Sequence, residues 1–128
     1  MLKLMPVTDR EALELYAAAY NVPVDEGLCL TIADQRGECL GVCFYHFTPE
    51  GMQIEYADAN GDGDLFDGLL RASMAALMDK PEDTVTFSDR VDHEPVSYTH
   101  LTALICRLFK KPMRFFTRTS PSSRRFLR

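Results

Sequence analysis

The sequence predicts a single α/β domain, and three observations carry that reading. Apolar residues fall at strand spacing in some stretches and at helical spacing in others, so strands and helices alternate along the chain. Two tight turns in succession join three strands into an antiparallel meander. The 128 residues are 46% hydrophobic and 26% charged, which suits one core. A chain of this length buries roughly two-thirds of its unfolded surface and needs no staple.

The elements follow in order. "LKLM" reads as a short strand ended by Pro6. Thr8, with Glu11 three residues later, has the spacing of a capping box. Leu13, Tyr16, Ala17 and Tyr20 then form one helical stripe, which Asn21 and Pro23 end. "GLCLTIAD", "ECLGVCFYHF" and "MQIEYADA" are strands, with "DQRG" and "TPEG" as the turns between them. A second helix carries Phe66, Leu69, Leu70, Met74, Leu77 and Met78 on one face, and "KPED" breaks it. "TVTFSD" is expected as a strand buried on both faces. Tyr98, Leu101, Ile105, Leu108 and Phe109 mark a late helix. "PMRFFTRT" reads as a last strand, and "SPSSRRFLR" as a mobile tail or an edge contact. No linker divides the chain, so one domain is expected over 1–119 with a basic tail over 120–128.

Charge is unevenly spread. All nineteen acidic residues lie in 1–94 beside six Lys or Arg, whereas 95–128 holds eight basic residues and no acid. The pattern suggests a tail docking on an acidic body, within one chain or across a homodimer, in preference to nucleic acid. No apolar run has the length of a membrane span, and the N-terminal stretch lacks the apolar region of a signal peptide. No membrane association is expected, and the cytoplasm is the expected compartment. Cys29, Cys39, Cys43 and Cys106 fit it as reduced, buried thiols, with Cys39 and Cys43 spaced for one strand face.

The stretch "DANGDGDLFDGLL", Asp58–Leu70, admits two readings. Asp58, Asn60, Asp62 and Gly63 satisfy the first half of a calcium loop. Position twelve should be a bidentate acid, but it is Leu69 in the apolar stripe, and Phe66 at position nine offers only its backbone. No complete metal site is expected. In the second reading a strand ends in a short loop and feeds a helix, whose first amides and dipole attract an anion.

With "LKLMPVTDREALELY", "CLGVCFYHF", "MQIEYADA" and "FDGLLRASMAALMD" before "VTFSD", the order of elements resembles the GNAT superfamily of acyl-CoA-dependent N-acyltransferases. The likeness spans roughly 2–119. It implies a mixed central sheet flanked by helices, with acetyl-CoA or another acyl-CoA as donor and a small-molecule or peptide amine as acceptor. It implies that the amides of Asp64, Leu65, Phe66, Asp67 and Gly68 hold the CoA pyrophosphate. The family's loop reads Gln/Arg-x-x-Gly-x-Gly/Ala before a Leu-Leu pair. Registered on Leu69 and Leu70, this chain places Gly61, Asp64 and Phe66 at the three functional positions. Using Gly61 and Gly63 as the glycines instead demands extra residues before the helix. Asp62, Asp64 and Asp67 oppose an anion, and they also suit the helix start: Asp64 as a cap, Asp67 in the first turn and paired with Arg71.

The resemblance also makes Glu55 the candidate general base, acting directly or through a water; its structural alternative is a solvent-facing strand residue. The family's leaving-group acid is a tyrosine after the late helix. Phe109 stands at that place, followed by Pro112 and Met113, and Tyr98 is a substitute or a core residue. His46, His93 and His100 form no catalytic motif, and His46 reads as a hydrogen-bonded, half-buried residue sharing a strand face with Leu40, Val42 and Phe44. The competing function is a catalytically inactive binding or dimerisation module on the same fold.

Overall fold

Seven strands, β1 (Leu2–Pro6), β2 (Cys29–Gln35), β3 (Glu38–Thr48), β4 (Gly51–Asp58), β5 (Thr84–Ser88), β6 (Arg114–Arg118) and β7 (Phe126–Leu127), pair in chain order into one mixed sheet. Two helices, α1 (Arg10–Ala19) and α2 (Gly63–Met74), complete the described α+β architecture. The computed structural model describes residues 2–88, 90–91, 114–118 and 126–127. The late helix expected over Tyr98–Phe109 lies outside them, as do Cys106, His93, His100, Pro112 and Met113.

Strands β1 to β4 form an antiparallel meander. The β2–β3 turn is a two-residue connection in which Arg36 (φ 54°) and Gly37 (φ 83°) both take positive φ, matching the twist of the flanking strands. β4, β5 and β6 are parallel, and β7 adds antiparallel to β6. Part of the basic tail is therefore an edge strand.

The two faces of the sheet are separately covered. Leu13 and Ala17 of α1 pack on Leu30, Ile32, Val42 and Phe44. Phe66, Leu69, Leu70 and Met74 of α2 pack on the other side with Cys43, Tyr45, Met52, Ile54, Val85 and Phe87. α1 is capped by Asp9, whose carboxylate accepts from Glu11 N at 3.1 Å, so the cap is one residue later than the Thr8 expectation. Met78 leaves the expected stripe and is exposed, because α2 tightens into a 3₁₀ turn over Ala75–Leu77. β5 is not buried on both faces. Val85 and Phe87 are buried, while Thr84, Thr86 and Ser88 on the alternate face are half-buried.

A bulge also corrects the cysteine expectation. Gly41 pairs with Ala33 and Cys39 with Asp34, leaving Leu40 as an extra residue. The alternation inverts there, so Cys39 packs on the α1 side while Leu40 and Cys43 pack on the α2 side. The Cys43 thiol is fully buried, and burial pushes its pKa up to about 12 against a lowering contact with Ser73. It is an inert packing group at neutral pH.

Gly51 joins the meander to the parallel half. Its φ is 156°, and a side chain there would run into the carbonyl and amide of Thr84. Thr84 N in turn donates to Glu50 O at 3.1 Å. Replacing Gly51 by Ala is expected to cost about 1–3 kcal/mol through forced backbone movement. Denaturant unfolding measures it, and an unchanged midpoint would show that the β4–β5 junction is loose.

Candidate active site

Glu55 lies where β4 departs from regular pairing. Phe44 pairs with Tyr56 and Tyr45 with Ile54, so Glu55 is the extra residue of a second bulge. Bulges re-aim side chains. Here Met52 and Ile54 face α2, while Tyr56 packs on the α1 side and Glu55 reaches His46, which follows Val42 and Phe44 on that side. The pairing of β4 with β5 stops at Ile54 and Phe87, although β4 runs on to Asp58. Ser88 closes that end, its hydroxyl donating to Glu55 O and accepting from Arg90 N at 3.2 Å.

Three titratable side chains converge at the bulge. His46 Nδ1 is 2.7 Å from Glu55 Oε2, and its Nε2 is 2.8 and 3.0 Å from the two oxygens of Asp25. Gln53 Nε2 donates to the same Glu55 oxygen at 3.0 Å. Asp25 comes from the irregular loop between α1 and β2. Arg10 fixes that loop by donating to Leu28 O at 3.2 Å and to Asp25 O. Gly27 brings its backbone against the imidazole, where a Cβ would sit 3.4 Å from His46 Cδ2. The side chains of His46 and Glu55 are 23% and 25% exposed, against 62% for Asp25.

Burial alone would lower the His46 pKa, but its hydrogen bonds to the Asp25 and Glu55 carboxylates outweigh it and raise it above the ordinary 6.5. The bond to His46 holds Asp25 below its ordinary 3.8. Together these residues border a cavity of about 430 Å³, also lined by Asn21, Val22, Pro23, Ser88 and Arg90. Arg90 is pinned, donating to Tyr20 O at 3.1 Å and Asn21 O at 3.0 Å, with its guanidinium 4.9 Å over the Tyr56 ring. It thus satisfies carbonyls left open at the C-terminus of α1.

The start of α2 is a separate place. Its cap is Asp62, not Asp64: the Asp62 carboxylate accepts from Leu65 N at 3.1 Å, and Asp62 O accepts from Phe66 N at 2.9 Å. Asp64 is exposed in the first turn, while Phe66 and Gly68 are buried, Gly68 against Leu4. Asp67 pairs with Arg71 at 3.2 Å in the expected i,i+4 register, although the Arg71 Nε makes no hydrogen bond among the described residues. Asp58 is occupied by Asn60 N at 2.9 Å, and Asn60 Nδ2 donates to Leu40 O. No three metal-ligating side chains gather there or elsewhere among the described residues. Among those residues no helix is long and apolar enough to cross a membrane.

Glu55 therefore sits in a cleft, and the amides of Leu65 and Phe66 are already engaged in capping α2. Asp25, Ser88 and Arg90 were not singled out from the sequence. Asp25 and Arg90 reach the site from loops far from Glu55 in the chain, with no motif to mark them. His46 did carry a signal, a histidine on an apolar strand face. No protein-family model, no curated protein and no solved structure matches this chain.

Proposed function

We propose that the domain transfers an acyl group from acyl-CoA to an amine, with Glu55 as general base. The observation that carries this reading is the bulge that aims the Glu55 carboxylate into an open cleft beside the end of β5. An ammonium group in that cleft would give its proton to Glu55, directly or through a water, and so become nucleophilic. The free amine then attacks the thioester carbonyl of acyl-CoA; the C–N bond forms as the C–S bond breaks, and CoA leaves as a thiolate that takes up a proton from solvent. The leaving-group acid of the GNAT resemblance has no counterpart at Phe109, and Tyr98, the substitute, lies outside the described residues.

The start of α2 fits a pyrophosphate poorly. Leu65 N is taken by the Asp62 carboxylate, and Asp62, Asp64 and Asp67 add negative charge. The penalty is bounded. Like charges about 4 Å apart in water cost about 1 kcal/mol each, or about fivefold in affinity apiece. Asp64→Asn is therefore expected to tighten acetyl-CoA binding about fivefold. An unchanged dissociation constant would remove the anion from the start of α2.

The second reading is a binding or dimerisation module on a GNAT-like fold, favoured by Asp62, which already accepts from two of the amides at the start of α2, Leu65 N and Phe66 N. Isothermal titration with acetyl-CoA separates the two. Saturable heat in the micromolar to submillimolar range supports acyl transfer. None up to about millimolar, an affinity of roughly −4 kcal/mol, leaves the binding module.

A further inference from the structure

We propose that His46 is a pH-sensitive latch: its imidazolium ties the α1–β2 loop, through Asp25, to Glu55 on the sheet, and loss of its proton frees the loop from the cleft. The geometry requires this choice. Both ring nitrogens are within 2.8 Å of a carboxylate oxygen. An imidazolium donates from both nitrogens, whereas a neutral imidazole has one N–H and one lone pair. A neutral His46 can satisfy only one carboxylate, and its lone pair repels the other.

The contact that yields is the one to Asp25. Glu55 is on β4, half-buried, and held by Gln53 as well. Asp25 is mostly exposed, on an irregular loop, and its carboxylate already accepts from Gly27 N at 2.9 Å, a donor it keeps when the imidazolium is lost. Other groups around the latch do not substitute for the imidazolium. Arg10 of α1 holds the backbone of Asp25 and Leu28. Arg90, beyond β5, is engaged with Tyr20 and Asn21 carbonyls. Cys29 of β2 has its thiol pKa raised by burial and donates to Gly27 O. The loop stays anchored by Val22, buried under α1, and by the Arg10 bonds to the backbone of Asp25 and Leu28; the Asp25 side chain and the adjoining Pro23, which wall the cleft, are the part set free.

The sign follows from the two titrations. His46 is raised above 6.5, so its contribution is complete below that pH and is lost as pH rises through the raised value. Asp25 is lowered below 3.8, so its contribution is lost only as pH falls through the lowered value. The latch is shut between them and opens on the alkaline side.

The full chain tests this without any assay of acyl transfer. NMR would follow the His46 ring and the exchange protection of the Gly27 and Leu28 amides, corrected for intrinsic exchange, from about pH 6 to about pH 9. The expected result is a His46 titration above 6.5, with loop protection falling about tenfold through the same midpoint. Asp25→Asn should lower the His46 pKa and leave loop protection low and flat with pH; His46→Gln should flatten it too. Should His46→Gln not fold, the exposed Asp25→Asn carries the comparison. Protection that stays constant through the His46 titration overturns the latch, as does a His46 pKa indifferent to Asp25→Asn.

Discussion

Glu55→Gln is expected to lower the turnover of the proposed acyl transfer by about 10²- to 10⁴-fold, the range that a positioned proton acceptor contributes. The amide keeps the shape of the carboxylate and can still accept from His46 Nδ1, so the cleft should persist. What it loses is the capacity to take a proton. The loss should therefore fall on kcat, with KM for the amine little changed. The same variant has a second reading, independent of turnover. Removing one of the two carboxylates that raise the His46 pKa should bring its titration down. A variant that keeps full kcat while moving the His46 titration would leave Glu55 as a structural partner and remove it as the base.

The sequence made the local periodicities legible, but not the places where two strands fall out of step. Val42 and Phe44 are on the face expected of them, and Leu69 and Leu70 are in the core with complete burial. Leu40 departs from simple alternation and Glu55 shares a side with its neighbour Tyr56, because Leu40 and Glu55 are each the unpaired residue of a bulge, a property of two strands together. Cys39 and Cys43 are consequently on opposite faces despite their spacing. At the helix starts, side-chain chemistry suggested a short polar cap but the wrong position for it. Asp9 and Asp62 cap where Thr8 and Asp64 were expected, since several candidates lie within one turn and backbone geometry selects among them.

The site was legible only one residue at a time. Glu55 stood out through a family resemblance and His46 through its apolar neighbours. Their 2.7 Å contact depends on the register of β3 with β4, which single-strand patterns leave open. Asp25 belongs to a loop stretch with no repeating pattern, held there by Arg10 from the preceding helix. Arg90 reaches the carbonyls of Tyr20 and Asn21 across some 70 residues of chain. Such long-range polar contacts depend on where the core places the elements, which no single stretch of sequence specifies.

Phe44→Ala should be the most destabilising of the substitutions considered, at about 3–5 kcal/mol, because truncating a fully buried ring leaves a cavity. Phe44 has no exposed surface, and it packs with Leu13, Ala17, Leu30 and Ile32 under α1. Its ring also meets Tyr20 edge-on at 6.3 Å between centroids. Domains of this kind are stable by only about 5–15 kcal/mol, so the loss is a large share of the whole. It should also reach the cleft. Tyr20 and Asn21 anchor Arg90, and Arg10 of the same helix holds the loop that carries Asp25. Loosening α1 should therefore weaken the Asp25–His46 contact and bring the His46 titration back toward 6.5. Leu69→Ala is the control. It too removes a fully buried side chain and should cost about 2–5 kcal/mol, but on the α2 face. Denaturant unfolding should show both losses, while the His46 titration moves only in Phe44→Ala. If the two variants moved His46 alike, its environment would depend on stability in general; a shift confined to Phe44→Ala would place α1 as the support on which the cleft is built.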